Sequence, residues 1–135
     1  EKMVVCAKRH PKAAVVGAKI LNYDGTIRHA QGNYRNEKDG PGKFSKEAKV
    51  QVVQGSCFLV KRSIFQIIGT FDERFFVYAE EGDFCLRVRR AGYDVMYAPV
   101  PIYHFREGSS LPQAERMRLR MKSSQLFQAK WGNLR

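Results

Sequence analysis

Three of the chain's 13 acidic residues, Glu80, Glu81 and Asp83, fall within four positions of one another. Four aromatic side chains, Phe71, Phe75, Phe76 and Tyr78, come just before them. A carboxylate held against apolar walls has a raised pKa and makes a better general base, so this crowding reads as a site for proton abstraction. The plainer explanation is electrostatic: acids in the first turn of a helix each stabilise its dipole by about 0.3–1 kcal/mol when exposed. His104, at the end of a strand-like run, would become a ligand only where acids or phosphates converge on it, and is otherwise a structural histidine. Asp72 has the form of an Asx-turn residue that shapes the loop after Gly69.

The elements that would position these groups follow from pattern. Glu80–Ala91 reads as a helix, with Phe84, Cys85, Val88 and Ala91 on one side, acids in the first turn, Arg87, Arg89 and Arg90 in the last, and Gly92 as its stop. Upstream, Glu1–Arg9 reads as a helix end closed by Pro11. Ala14–Leu21 reads as a buried strand, and Asn22–Gly25 as a turn into a second strand, Thr26–Ala30. The polar segment 32–48 is expected to be a long flexible loop with one anchor at Phe44. Val50–Val53 and Cys57–Val60 are extended segments meeting at Gly55, where only a small residue is expected to fit. Ser63 would cap a short helix, Ile64–Ile68, with Gly69 beyond its end. Tyr93–Tyr97 and Ile102–Phe105 read as two short strands separated around Pro99 and Pro101, followed by a loop at Gly108-Ser109-Ser110. A final helix is expected over Gln113–Trp131, with Met117, Leu119, Met121, Leu126, Phe127 and Trp131 along an irregular apolar face.

The bulk composition narrows the classes. A chain of 135 residues with 44% hydrophobic and 27% charged residues fits one globular domain over 1–135, not a disordered tail. Its apolar runs are far short of the roughly 20 residues of a membrane span. No secretory-signal pattern opens the sequence, so the expected location is cytoplasmic. Cys6, Cys57 and Cys85 are odd in number and in apolar company, which predicts reduced thiols. His10, His29 and His104 are far apart and no CxxC or HxxxH spacing occurs, so no zinc is expected for folding. A net charge of +11 makes anionic partners attractive without choosing among nucleic acid, lipid and nucleotide phosphate.

The run beginning at Gln54, QGSCFLVKRSIFQIIGTFDERFFVYAEEGDFCLRVRRAGYDVMYAPVPIYHF, resembles the acceptor-side half of family 2 glycosyltransferases of the rhamnosyltransferase-like group with the GT-A fold. It follows their Gly-x-x-x-Leu-x-x-Arg segment, the Phe-Asp-Glu turn, the aromatic pair, the Tyr-x-Glu-Asp-x-Asp helix start, the Gly-Tyr and the late Tyr-His. The segment VVGAKILNYDGTIRHAQG is similar to what leads into that half, so the likeness runs from Ala13 to about Trp131.

The resemblance implies an α/β fold, a partial GT-A domain whose mixed sheet carries a central helix opening on acids and a C-terminal amphipathic helix. It makes Glu81 the general base on the acceptor hydroxyl in inverting transfer from a nucleotide sugar, with Glu80 and Asp83 as its acidic companions. Glu81 stands where the family usually has Asp, which extends the carboxylate by one methylene. By the same likeness Asp72, Gly55 and Tyr78 border the acceptor pocket, and His104 helps hold a divalent metal, Mg²⁺ or Mn²⁺, or the donor diphosphate. The family's nucleotide-binding half, with its Asp-x-Asp motif and phosphate loop, has no counterpart here, so activity by this chain alone is not expected.

The partners so implied are a nucleotide sugar and a glycan or lipid-linked acceptor for polysaccharide synthesis at the inner membrane face. A homodimer is expected through the surface that a complete domain would cover. The alternative is a non-catalytic basic module for an anionic partner, nucleic acid or membrane. No dedicated nucleic-acid-reading motif supports the nucleic-acid form.

Overall fold

The computed structural model describes residues 1–105 and 111–132, so the expected loop at Gly108–Ser110 lies outside the described residues. The elements in chain order are α1 (Lys2–Arg9), β1 (Ala13–Leu21), β2 (Thr26–Ala30), β3 (Asn33–Lys38), β4 (Ala48–Val50), β5 (Phe58–Val60), α2 (Ile64–Ile68), α3 (Glu80–Arg90), β6 (Asp94–Tyr103) and α4 (Gln113–Trp131). One mixed sheet runs β3-β2-β1-β6-β4, and β5 pairs with the near half of β1. Its α/β class, the acid-led helix and the terminal helix agree with the sequence reading.

β1 is buried along all nine residues because it lies between β6, to which it is parallel, and β5 and β2, which share its other edge. Such a strand reads as a continuous apolar run, not an alternating one. Val16, Met96 and Ala98 face α1 through Cys6 and Ala7, while Val15 and Val95 pack with Ile64, Phe84, Cys85 and Val88 of α2 and α3. Successive residues of β1 and β6 thus supply two opposite cores, as the strand pleat requires.

Three expectations are corrected. The segment 32–48 carries a strand: Gln31 and Gly32, both at positive φ, form a two-residue turn between the paired Ala30 and Asn33, and β3 returns beside β2. Phe44 does anchor the rest, its carbonyl accepting the buried Tyr97 hydroxyl at 2.8 Å. Next, β6 is one strand through both prolines. β1 advances from Gly17 to Lys19 while β6 advances from Tyr97 to Pro101, a bulge that holds Pro99 where the ladder is already interrupted. β4 pairs only as far as Tyr97, so no ladder on that side needs a proline N–H. Finally, the glycine that cannot carry a side chain is Gly17: a Cβ there would sit 2.2 Å from that of Val53, whereas one at Gly55 would meet Glu81 at an ordinary 3.7 Å.

Ser63 precedes α2 without a side-chain cap bond, and Gly69 ends that helix at φ 78°. α4 turns Leu119, Ser123, Leu126, Phe127, Lys130 and Trp131 toward the protein and leaves Met117 and Met121 exposed. Its inner face is therefore partly polar, and hydrogen bonds carry much of its attachment. No helix among the described residues is long and apolar enough to cross a membrane.

Candidate active site

α3 is launched from a constrained turn. Tyr78 and Ala79 both have φ near 67°, the left-handed region that costs a non-glycine residue about 1–3 kcal/mol and persists only where surroundings enforce it. α4 supplies the enforcement: Ser123 Oγ donates to the Val77 carbonyl at 2.6 Å, and the Arg120 guanidinium lies 5.0 Å over the Tyr78 ring. Tyr78 is thus held against α4.

Immediately after this turn, Glu80 and Glu81 line a pocket of about 250 Å³ with Gly55, Phe58 and Phe71. Its apolar wall is continuous with the core, since Phe71 stacks on the buried Phe84 at 4.7 Å and Phe58 meets both rings at 5.8–5.9 Å. Burial against this wall raises the Glu81 pKa above its ordinary value, and the charge of Glu80 raises it further. Hydrogen bonds from the Glu81 and Gly55 backbone pull partly the other way. One oxygen of each acid, Oε2 of Glu80 and of Glu81, is buried without a protein partner. As residues lining the pocket, the two acids offer carboxylate oxygens as hydrogen-bond acceptors there.

The other candidates have different surroundings. Asp83 is completely buried and its oxygens are engaged: Oδ2 accepts from Arg87 Nε at 2.9 Å, and Oδ1 from Trp131 Nε1 at 2.8 Å and Lys130 Nζ at 2.7 Å. Lys130 also reaches Asp72 at 2.7 Å, and Arg87 continues to the carbonyls of Ile68 and Thr70. Asp72 accepts the Arg74 backbone N–H, the Asx turn expected from sequence, and grips the Arg74 guanidinium. Those cations hold its carboxyl far below the usual carboxylate range. Asp72 and Asp83 are two ends of a latch that joins α3, the turn after α2, and α4.

His104 is placed at the end of β6, where its N–H bonds the Leu21 carbonyl at 2.8 Å. Among the described residues no two further His, Cys, Asp or Glu ligand atoms converge on it.

The structure also adds residues that the sequence reading assigned elsewhere. Although Tyr34 is exposed as a residue, local shielding of its hydroxyl and the charges of Glu81 and Glu80 raise its phenol pKa, while Arg28 and Arg120 lower it. The β2–β3 hairpin therefore stands in the electrostatic neighbourhood of the acidic pair. His29 on β2 is 2% exposed and packs edge-on to Tyr34 at 5.2 Å, its pKa lowered to about 4 by burial and by Arg35 and Arg28. Only a hairpin assignment for 32–48 would have brought these residues to the site.

An acidic pair on an aromatic-walled pocket is a constellation suited to activating a hydroxyl, and two relatives of the chain carry sugar-transferase names. An N-acetylglucosaminyl-diphospho-decaprenol L-rhamnosyltransferase of Mycobacterium tuberculosis is 35% identical over 156 aligned positions, covering 96% of this chain and 50% of the relative. A low-salt glycan biosynthesis hexosyltransferase, Agl10, of Haloferax volcanii is 40% identical over 55 positions, 41% of this chain and 18% of the relative. An uncharacterized protein y4gI of Sinorhizobium fredii is 31% identical over 124 positions, 80% of this chain and 14% of the relative. No protein-family model matches. The class defined by fold and relatives is glycosyltransferase-like. Within it the chain is similar to a rhamnosyltransferase along nearly all of its own length, and spans about half the length of that relative.

Proposed function

We propose that the chain is the acceptor-side, base-bearing part of an inverting glycosyltransferase of family 2 with the GT-A fold, one that transfers a sugar from a nucleotide donor to a glycan or lipid-linked acceptor. The observation that carries this reading is Glu81: a carboxylate with raised pKa on a residue that lines a pocket walled by Phe58 and Phe71. In the reaction, an acceptor hydroxyl in the pocket lies against the Glu81 carboxylate. As the hydroxyl oxygen attacks the anomeric carbon, its proton passes to Glu81 and the nucleoside diphosphate departs from the opposite face. Glu80 keeps a second negative charge close by, which favours the proton on Glu81. Phe58 and Phe71 offer an apolar surface for a sugar ring and keep bulk water from the base.

The donor pocket would belong to the remaining part of such an enzyme, where a divalent Mg²⁺ or Mn²⁺ would stabilise the departing diphosphate and His104 is the residue of this chain that would help hold the metal or the diphosphate. The proposed location is the cytoplasmic face of a membrane. Consistent with this, the exposed side of α4 presents Met117 and Met121 beside Arg118 and Lys122 around a shallow surface depression, an arrangement suited to an anionic lipid surface.

The deciding experiment is Glu81→Gln in the intact enzyme, with transfer and donor affinity measured together. Removal of a positioned general base lowers turnover by about 10²–10⁴-fold, and donor affinity is expected to be unchanged. Turnover at the wild-type rate would refute the assignment.

A further inference from the structure

Away from the acidic pocket, on the α1 side of the sheet, three chemically suited ligand atoms meet. Cys6 Sγ, a ring nitrogen of His10 and a Glu47 carboxylate oxygen lie within 4.8 Å of one another, the one such cluster of three among the described residues. Cys6 and His10 are four residues apart, so the helical repeat stacks them on one side of α1. The N–H of His10 bonds the Cys6 carbonyl at 3.1 Å and keeps that spacing to the end of the helix. Glu47 arrives from 37 residues further on, immediately before β4.

The details fit a cation better than a simple ion pair. Glu47 is clamped from two sides, with Oε1 taken by Arg9 at 3.0 Å and Oε2 at 2.9 Å from His10 Nε2. Arg9 therefore orients the carboxylate while leaving Oε2 directed at the imidazole, the outer-shell arrangement that fixes ligands in metal sites. A surface ion pair has no need of a thiol, yet the wholly buried Cys6 forms the floor of the same cluster. Side chains of His10 and Glu47 are 38% and 20% exposed, which gives an ion a path from solvent.

We propose that Cys6, His10 and Glu47 bind a borderline-soft divalent cation, Zn²⁺ by chemical class, with water as a fourth ligand. Thiolate, imidazole and carboxylate together make a set that favours Zn²⁺ over Mg²⁺ or Ca²⁺. On binding, the Cys6 thiol loses its proton to solvent as the sulfur–metal bond forms, and the imidazole keeps its remaining proton on Nδ1 while Nε2 takes the metal. The ion would tie α1 to the segment entering β4, an edge strand of the sheet. It serves the fold and is separate from the chemistry at Glu81.

The test uses the intact protein stripped with a chelator. It is titrated with Zn²⁺ against a chromophoric competitor and, separately, with Co²⁺ while thiolate-to-cobalt charge transfer is recorded. The proposal expects one equivalent of Zn²⁺ per chain beyond the low-affinity background and a charge-transfer band. Cys6→Ser should remove the band, and His10→Ala and Glu47→Gln should each weaken binding at least about tenfold. Arg9→Ala should weaken it by about 10–100-fold as an orienting residue. Absence of a stoichiometric site overturns the proposal, as does binding and a band that survive Cys6→Ser. Should Cys6→Ser not fold, the His10 and Glu47 variants decide: unchanged Zn²⁺ affinity in both overturns it.

Discussion

Replacing Asp83 by Ala removes the fully buried carboxylate that connects α3 to α4. Three donors lose their acceptor: Arg87 Nε, Lys130 Nζ and Trp131 Nε1. Deleting one member of a buried ion pair costs about 3–5 kcal/mol, chiefly because the partner charge is stranded. Here neither cation is wholly stranded, since Lys130 keeps Asp72 and Arg87 keeps the Ile68 and Thr70 carbonyls. The lower end of that range, about 3 kcal/mol, is therefore expected. The loss should be concentrated in α4, whose single buried residue is Ser123. Hydrogen exchange of the α4 amides should accelerate by about 10²-fold or more, since each 1.4 kcal/mol of local opening is a factor of ten. Asp83→Asn, which can still accept from Trp131, should fall between wild type and Ala. Paired with Asp72→Ala, the Asp83→Ala variant should lose more than the sum of the single changes, because Lys130 then has neither acid. Denaturant midpoints and α4 exchange rates that match wild type in Asp83→Ala would refute the latch.

Other consequences are equally concrete. His29 accepts a proton near pH 6.5 when unfolded but only near pH 4 when folded, so the unfolded state binds more protons between these values and stability falls as pH drops through them. The difference amounts to about 3 kcal/mol, and in denaturant titrations from pH 7 to 4 His29→Gln should lack that part of the loss; an identical profile would show that His29 is not the responsive group. Gly17→Ala drives a methyl into Val53 and should cost at least about 1–3 kcal/mol, with Gly17→Ala/Val53→Ala recovering part of it; a Tm equal to wild type would contradict the close approach. Tyr97→Phe removes the bond to the Phe44 carbonyl and should cost about 1 kcal/mol, with faster exchange in 39–47; no change would mean that Phe44 packing alone holds the segment.

Much of this arrangement was legible in sequence because it depends on neighbours in the chain. The helix bounds at Glu80 and Trp131, the Gly69 stop and the Asn22–Gly25 turn are local signals. What was not legible depends on pairing across the fold. β3 has the sequence NYRNEK, without apolar alternation, because it is an edge strand and its side chains meet little core. The Gln31–Gly32 turn lacks the Asn-Gly or Asp-Gly signature of such hairpins. β6 looked like two strands because the bulge opposite Gly17–Lys19, which accommodates its prolines, belongs to the pairing and not to either segment. At the site, the acidic pair and its aromatic wall were visible as a cluster. The division of labour was not: Glu81 and Asp83 are two positions apart on one helix, yet one borders a pocket and the other is sealed beneath Lys130 and Trp131. Helical geometry turns positions two apart about 200° from each other, enough to send them to different partners. The Cys6, His10 and Glu47 cluster escaped spacing rules for the related reason that its third member is distant in sequence.

The claim that Glu81 is the base is tested most directly by the pH dependence of kcat/KM for sugar transfer in the intact enzyme, measured for wild type and Glu81→Gln. A base must be ionised to act, so wild-type activity should fall on the acid side with a midpoint above the ordinary glutamate value of 4.5. The residual activity of Glu81→Gln should lack that limb. An acid limb with the same midpoint in both proteins would assign the titrating base to another group and contradict the account.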